Sequence, residues 1–354
     1  MERPARGFRR MSVEVDIEDP ESLRGWLRRR GSLSEAEPLP MRVLRGGVSN
    51  RTVLVQLPGG EVWVLKQALS RLRVAVEWFS SPARIQREAL GMRWLAQLAP
   101  DRTVPRLLFE DRDQHLLAME AVPEPHDNWK DLLLQGVVRE THIRQSGELL
   151  GTIHRRSASR REELAAEFAD RSFFESLRIE PYYTHPAGVL PGAAEFLGRL
   201  TEETRRLQLA LVHGDYSPKN TLIVQDRLIL IDHEVIHFGD PAFDAGFLLT
   251  HLLSKAHHLP ERRQALTEAA LLFWRTYGES LGDVPWRSGL ECRTVRHTVA
   301  CLLARARGRS PLEYLSESER GRQVAAGLRL LRSCPTTLPE LTARWLEQIS
   351  QRGI

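Results

Sequence analysis

Residues 209–246 read LALVHGDYSPKNTLIVQDRLILIDHEVIHFGDPAFDAG, an island of strand-forming sequence inside a second half that otherwise has helical periodicity. Two short apolar runs, TLIV and RLILI, are joined by Gln225-Asp226 alone, so they predict a tight β-hairpin. A hairpin returns its end to its beginning. Asp215 and Asn220 precede the first strand and Asp232 follows the second, so the three side chains are expected to converge. A carboxylate plus an amide oxygen suits Mg²⁺, which prefers oxygen ligands and keeps water or substrate phosphates in its shell. The remaining carboxylate is then available to orient a hydroxyl. The competing interpretation of HGDYSPKN is an ordinary turn, since Asp, Ser, Pro and Asn all favour turns.

The chain around this island changes character twice. Residues 1–40 are expected to form an N-terminal extension, partly disordered or carrying one short helix, because arginines and acids are interleaved and SLSEAEPLP closes the segment. From Met41 the pattern has period two: MRVLR, RTVLVQL and EVWVLKQA predict three antiparallel strands, with Pro58-Gly59-Gly60 turning the second into the third. Ser81-Pro82 then opens a long helix whose apolar face runs Ile85, Ala89, Met92 and Ala96. RLLFE and HLLAMEAV flank the turn Asp111-Arg112-Asp113 as two further strands, and 122–126, with Pro123 and Pro125, is a linker. Amphipathic helices are expected over 141–156 and around 190–208, 260–280, 289–307 and 319–333. The division is therefore a strand-rich N-lobe, 41–122, and a helical C-lobe, 123–354, with a ligand cleft between them.

Composition removes several classes. Of 354 residues, 42% are hydrophobic and 27% charged, enough apolar sequence for substantial cores. Fifty basic residues against 46 acidic ones leave no field of the kind that binds nucleic acid. Only four of the fifty are lysines, Lys66, Lys130, Lys219 and Lys255. Cys292, Cys301 and Cys334 are too few and too far apart for a disulfide framework or a zinc site. No signal-peptide core follows the basic N-terminus and no apolar run approaches membrane-spanning length, so a cytoplasmic protein without a membrane span is expected.

HGDYSPKN, LILIDHE and GDPAFDAG together resemble the aminoglycoside phosphotransferase and choline kinase family, small-molecule kinases with a protein-kinase-like fold. Asp215 and Asn220 keep the D-x-x-x-x-N spacing of a kinase catalytic loop, in which the Asp faces the substrate hydroxyl and the Asn reaches a metal. Protein kinases carry Arg at the second position of that loop and Lys two residues after the Asp. Gly214 and Ser217 stand there here, which favours the small-molecule branch.

The resemblance implies an α+β, bilobal protein-kinase-like fold: a small antiparallel-sheet N-lobe with one long helix, and a larger, mostly helical C-lobe. It implies ATP and Mg²⁺ as cofactors and a small-molecule hydroxyl as acceptor, with no nucleic-acid or membrane partner. Asp215 is the catalytic candidate, and Asn220 and Asp232 are the metal ligands. Lys66 falls where kinases place the lysine that binds the α and β phosphates, and Glu88 on the long helix is placed to pair with it; an exposed strand-end lysine and a surface glutamate are the alternatives. The loop containing Gly46, Gly47, Ser49 and Asn50 lacks a full GxGxxG pattern but would let backbone amides approach phosphate. The resemblance alone gives the backbone between Glu120 and Val122 to the adenine. His213 is expected to scaffold the loop, and Asp240 and Asp244 to brace it.

Two other functions compete with a kinase. A nucleotide-binding scaffold without turnover would be expected to have lost one of Lys66, Asp215, Asn220 or Asp232, and all four are present. A metal-dependent phosphoesterase using His213, Asp215, Asp232 and His233 lacks further clustered histidines. From Thr221 onward there are 17 basic and 15 acidic residues, no excess of acid to favour a polycationic aminoglycoside. Sugars, amino alcohols and antibiotics all remain acceptor classes.

Overall fold

The computed structural model describes residues 15–35, 37–44, 47, 49–73 and 77–350. The chain falls into two compact units: one comprises the residues up to Gln86 together with Leu107–Ala121, the other Arg87–Arg106 and everything from Val122 onward.

The first unit is built on a five-stranded antiparallel sheet. Its strands are β1 (Met41–Val43), β2 (Asn50–Gln56), β3 (Val62–Ala68), β4 (Leu107–Asp111) and β5 (Leu116–Glu120), in spatial order β1-β2-β3-β5-β4. The β2–β3 turn is closed by Leu57 and Glu61, and Gly60 at φ +85° supplies the left-handed backbone this turn requires. Helix α1 (Pro20–Arg29) begins where the Asp19 side chain accepts the Ser22 N–H and Pro20 presets φ at the first helical position. The described part of the expected extension thus contains its short helix, and it also joins the sheet's core. Leu23, Trp26 and Leu27 are buried with Val53, Val55, Leu65 and Ala118. Gln67 on β3 donates to the Val15 carbonyl at 2.7 Å, and the Val15 N–H donates to Gln114 at 2.8 Å.

The boundary between units falls within α2 (Arg84–Leu98). The second unit contains β6 (Asp127–Asn128), α3 (Trp129–Leu134), α4 (Glu140–Ala158) and α5 (Arg161–Glu167). Helix α6 (Ser172–Phe174) continues through a π-helical segment, Glu175–Thr184, into α7 (His185–Val189), and α8 (Ala194–Arg206) follows. Pro181 lies inside the π segment. The island forms β7 (Ala210–Val212), β8 (Thr221–Val224), β9 (Arg227–Leu230) and β10 (His237–Gly239), after which come α9 (Ala242–His258), α10 (Arg263–Leu281), α11 (Leu290–Arg307), α12 (Glu317–Leu331) and α13 (Leu338–Ser350). Strand β8 pairs with β6 and β9, and β7 pairs with β10.

The second unit's core is helical. Helix α9 is buried along almost its whole length, and its Leu248, Leu249, Leu252 and Leu253 share one cluster with Phe273 and Tyr277 of α10 and Trp345 of α13. Helices α4 and α10 pack backbone against backbone. A Cβ on Gly147 would lie 2.9 Å from the Phe273 carbonyl oxygen, and one on Gly151 would lie 2.7 Å from that of Tyr277. Gly198 on α8 is exposed with nothing within 4 Å of an added Cβ. Gly151→Ala is therefore expected to lower stability by about 1–3 kcal/mol through forced separation of α4 and α10. Gly198→Ala should raise it by up to about 1 kcal/mol through helix propensity. Urea titration of the two variants checks the opposite signs.

Candidate active site

The hairpin assembles a cluster of polar side chains in the second unit. Gln225 (φ +47°) and Asp226 (φ +61°) both take left-handed conformations, the signature of a two-residue turn whose twist matches its strands. Thr221 consequently pairs with Leu230, and one step further the Ile231 N–H donates to the Asn220 carbonyl at 2.9 Å. Asp232 is thereby placed next along the chain from a residue tied to Asn220. Its own backbone is left-handed, at φ +68°, an unfavourable conformation for a non-glycine residue. Helix α2 packs tightly just beyond: a Cβ on Gly91 would come within 2.7 Å of Ile236.

Asp215 leaves β7 through Gly214, whose φ is +77° and whose added Cβ would meet the Val235 carbonyl oxygen at 2.8 Å. Both facts restrict this position to glycine, which explains why the arginine of protein kinases is replaced here. Asn220 is buried and spends its amide nitrogen on Asp215, donating to Oδ2 at 2.7 Å and to the backbone carbonyl at 3.1 Å. The guanidinium of Arg178 approaches the same Oδ2 at 2.9 Å while its Nε donates to the Gly214 carbonyl at 2.7 Å. Both polar contacts on the carboxylate therefore fall on one oxygen. The other, Oδ1, takes neither.

Sequence reasoning did not single out Arg178. It sits on the π-helical segment, close before Tyr182 and Tyr183, which pack among Phe243, Phe247 and His297. One arginine among 46 gave no sequence signal of its own.

A ring of buried polar groups holds the loop. Asp244 on α9 accepts the His213 N–H at 2.6 Å and the Gly214 N–H at 2.8 Å, and faces His154 Nε2 at 3.4 Å. Burial pushes its carboxyl up, but the His154 hydrogen bond and these contacts prevail and hold it below the usual range. The Asp215 N–H donates to His213 Nδ1 at 3.2 Å, so that nitrogen acts as an acceptor, and burial keeps the ring's pKa low. This is the scaffolding role expected of His213. Asp240 accepts from Arg293 at 3.2 Å and from the Ala242 N–H at 3.1 Å, bracing the start of α9.

A divalent cation fits the donor chemistry. With Nδ2 of Asn220 engaged on Asp215, its side-chain carbonyl oxygen and the carboxylate of Asp232 are the oxygens that would hold such an ion. Among the described residues no group of three or more His, Cys, Asp or Glu side chains is arranged to hold a metal, so no zinc-type centre is formed there. One amide and one carboxylate suit a hard ion whose shell is completed by phosphates and water.

In the first unit, Lys66 lies on β3 between Thr52 of β2 and Leu117 of β5 and is buried, so it is not an exposed strand-end lysine. Ser49 and Asn50 are also buried, with Asn50 Nδ2 donating to Ser49 Oγ at 3.2 Å. The buried guanidinium of Arg84 pins the end of that loop by donating to the carbonyls of Ser49, Leu69, Ser80 and Ser81. Gly47 has room for a side chain, whereas Gly46 lies outside the described residues. Glu88 is fully buried on α2 and belongs to the second unit, as does Val122, while Glu120 ends β5 in the first.

A model of the phosphotransferase enzyme family matches residues 40–280, a span that includes Lys66, Glu88, Arg178, Asp215, Asn220 and Asp232, and the chain belongs to that family. Its architecture is protein-kinase-like: it is similar to amicoumacin kinase hAmiN in complex with AMP-PNP, Ca2+ and Ami, with a TM-score of 0.59 at 15% identity over 90% of this chain and 96% of that one. Among characterised sequences it is similar to the methylthioribose kinases of Citrobacter koseri and Enterobacter sp., each 26% identical over 255 residues, or 61% of this chain and 62% of theirs. The chain thus matches less than two thirds of the length of these curated relatives.

The loop's surroundings predict an acid limit to stability. His237 on β10 pairs in register with Val212, one residue before the catalytic loop, and stacks on Phe174 with ring centroids 3.9 Å apart. Burial pushes its pKa down from 6.5 to about 4. A histidine held neutral in the folded state contributes stability that is fully present above its unfolded pKa and is lost as pH falls from about 6.5 towards 4. His237→Phe, which keeps a stacking ring, should show a shallower loss of Tm than the wild type across that interval and run parallel to it above pH 7.

Proposed function

We propose that this protein is an ATP-dependent phosphotransferase that moves the γ-phosphate to a hydroxyl of a small molecule. The observation that carries this is the state of Asp215: one carboxylate oxygen is fixed by Asn220 and Arg178, and the other is left for an acceptor hydroxyl. Membership in the phosphotransferase enzyme family supports the same reading.

In this reading Lys66 binds the ATP phosphates, Glu88 holds that lysine, and the loop of Gly46, Gly47, Ser49 and Asn50 supplies backbone N–H groups to phosphate oxygens. The backbone from Glu120 to Val122 receives the adenine. Asn220 and Asp232 hold Mg²⁺, which neutralises charge on the phosphates when bound. Asp215 Oδ1 accepts the proton of the acceptor hydroxyl as the new bond from acceptor oxygen to γ-phosphorus forms and the bond from γ-phosphorus to the bridging oxygen of ADP breaks. Arg178 and Asn220 keep the carboxylate in position, so that catalysis is mostly placement and charge neutralisation. The enzyme acts in the cytoplasm, within an N-lobe of 41–122 and a C-lobe of 123–354. Sugars, amino alcohols and aminoglycoside-like compounds are the acceptor classes, and the relatives named methylthioribose kinase add a ribose derivative to the set.

The test is Mg²⁺-dependent ADP release over a panel of small alcohols. An active acceptor should lose about 10²- to 10⁴-fold in kcat with Asp215→Asn. Lys66→Arg should impair turnover as well, because a planar fork does not replace a compact ammonium. Binding of ATP without ADP release on any acceptor, water included, would establish the scaffold instead.

A further inference from the structure

The fourth lysine has no part in the site described so far. Lys255, on α9, is fully buried, and its Nζ has no hydrogen-bond partner. It lies 5.1 Å from the ring centroid of Tyr314, whose own buried hydroxyl also lacks a partner. An ammonium and a hydroxyl buried without hydrogen-bond partners are each costly to a fold, and a position that serves packing alone would carry apolar groups.

The two groups stand in a basic environment that continues to the catalytic loop. His251 lies one turn before Lys255 on α9, and its pKa is depressed first by burial and then by the charges of Lys255, Arg305, Lys219 and Lys130. Three of the chain's four lysines thus act on one histidine, and Lys219 belongs to the catalytic loop itself. A series of buried ring contacts links the cluster to Asp215. Arg178, on Asp215, lies 5.6 Å from the Tyr182 ring, Tyr182 stacks on Phe247 at 5.6 Å, and Phe247 meets His251 edge-on at 5.0 Å. Arg305 flanks the other approach to Tyr182, with its guanidinium 5.7 Å from the ring.

Two acids attend this cluster. Glu313, next in the chain to Tyr314, pairs with Lys130 at 2.9 Å, and its side chain is 63% exposed. Asp131 adds a weaker contact to Lys130 at 3.9 Å. Exposed pairs of this kind separate at little cost, so the Glu313 carboxylate is a replaceable occupant of a basic site.

We propose that the hydroxyl acceptor also carries an anionic group, a carboxylate or a phosphate, which Lys255 and Tyr314 receive beyond the ring contacts that begin at Arg178. This rests on the phosphotransferase reading for the word acceptor, whereas the anion site itself stands on the geometry of the second unit. Hydroxy acids and sugar phosphates have the required chemistry: one hydroxyl to phosphorylate and one anion to anchor. Burial brings the Lys255 amine down to about 7, so the empty site tolerates it near neutrality and an arriving anion draws it back to the charged form.

Equilibrium titration calorimetry on the full chain tests the site without requiring turnover, with inorganic phosphate and glycerate as probes and glycerol as the uncharged control. Either anion should bind and glycerol should not, and a preference for phosphate or for glycerate tells which anion the acceptor bears. Lys255→Met should weaken the preferred anion about ten- to a hundredfold while Tm holds or rises. Glu313→Gln, at an exposed position, should tighten it. The inference is overturned if neither anion binds, or if both variants leave the anion affinity of the wild type unchanged. Anion binding that depends on Lys255, without ADP release on any acceptor, would keep the site and remove the kinase. ADP release confined to uncharged alcohols, with no anion binding, would keep the kinase and remove the site.

Discussion

The carboxylate of Asp244 holds together the part of the molecule on which everything else depends. It is fully buried, and it satisfies two consecutive backbone N–H groups at the point where β7 ends and the catalytic loop begins. Those donors belong to a segment that must leave the β7–β10 ladder in order to turn, and without an acceptor they would be stranded in the core. Asp244 also reaches His154 on α4, and His154 bonds the Tyr277 hydroxyl on α10 at 3.0 Å. One carboxylate therefore couples three helices of the core to the two residues preceding Asp215. Asp240 does the same for α11 through Arg293, and His297 of that helix meets the hydroxyl of Tyr183. The loop is rigid because its supports lie in the core rather than at its surface.

That rigidity gives Asp215 its asymmetry. A free carboxylate on a surface loop would present both oxygens to water and turn about χ2. Here Asn220 is set by the short helical turn Pro218–Asn220, and Arg178 is set by a π-helical segment packed among buried aromatics. Both converge on Oδ2, so orientation is decided before any substrate arrives. Preorganisation of this kind suits phosphoryl transfer, where the protein supplies placement and charge more than covalent chemistry. A π segment at this position follows a wider pattern, since such distortions cost helix stability and persist where a side chain must be aimed.

The island was legible in the sequence because its residues carry geometry and chemistry together. Gln225-Asp226 between two apolar runs admits little besides a tight hairpin, and the hairpin itself brings Asn220 to Ile231. Gly214 was read as a departure from protein kinases, and its reason, a carbonyl oxygen 2.8 Å from where a Cβ would stand, exists only in three dimensions. Arg178 and Arg84 were invisible for a different cause. In a chain with 46 arginines, the two whose guanidinium groups are buried against backbone carbonyls look like all the others. Residues 15–39 misled through polarity, because interleaved charges masked Val15, Ile17, Leu23, Trp26 and Leu27, which complete the sheet's core.

The scarcity of lysine acquires a physical meaning at Lys255. Arginine keeps its proton in any protein environment, so a buried arginine without an anion would hold an uncompensated charge in a low-dielectric core. Lysine can release its proton there. With the amine brought to about 7, Lys255 can stay buried beside the Tyr314 ring as a neutral side chain and, in the proposal above, become cationic when an anion arrives. In a chain that uses arginine nearly everywhere else, a lysine at a fully buried position is the cation that folds without its counter-ion. Lys66, also buried, lies on β3 in the first unit, where the phosphotransferase reading assigns it phosphate. The two proposals thus bring an anionic ligand to both buried lysines, whereas the buried guanidinium groups of Arg84 and Arg178 are held by carbonyls and a carboxylate of the chain itself.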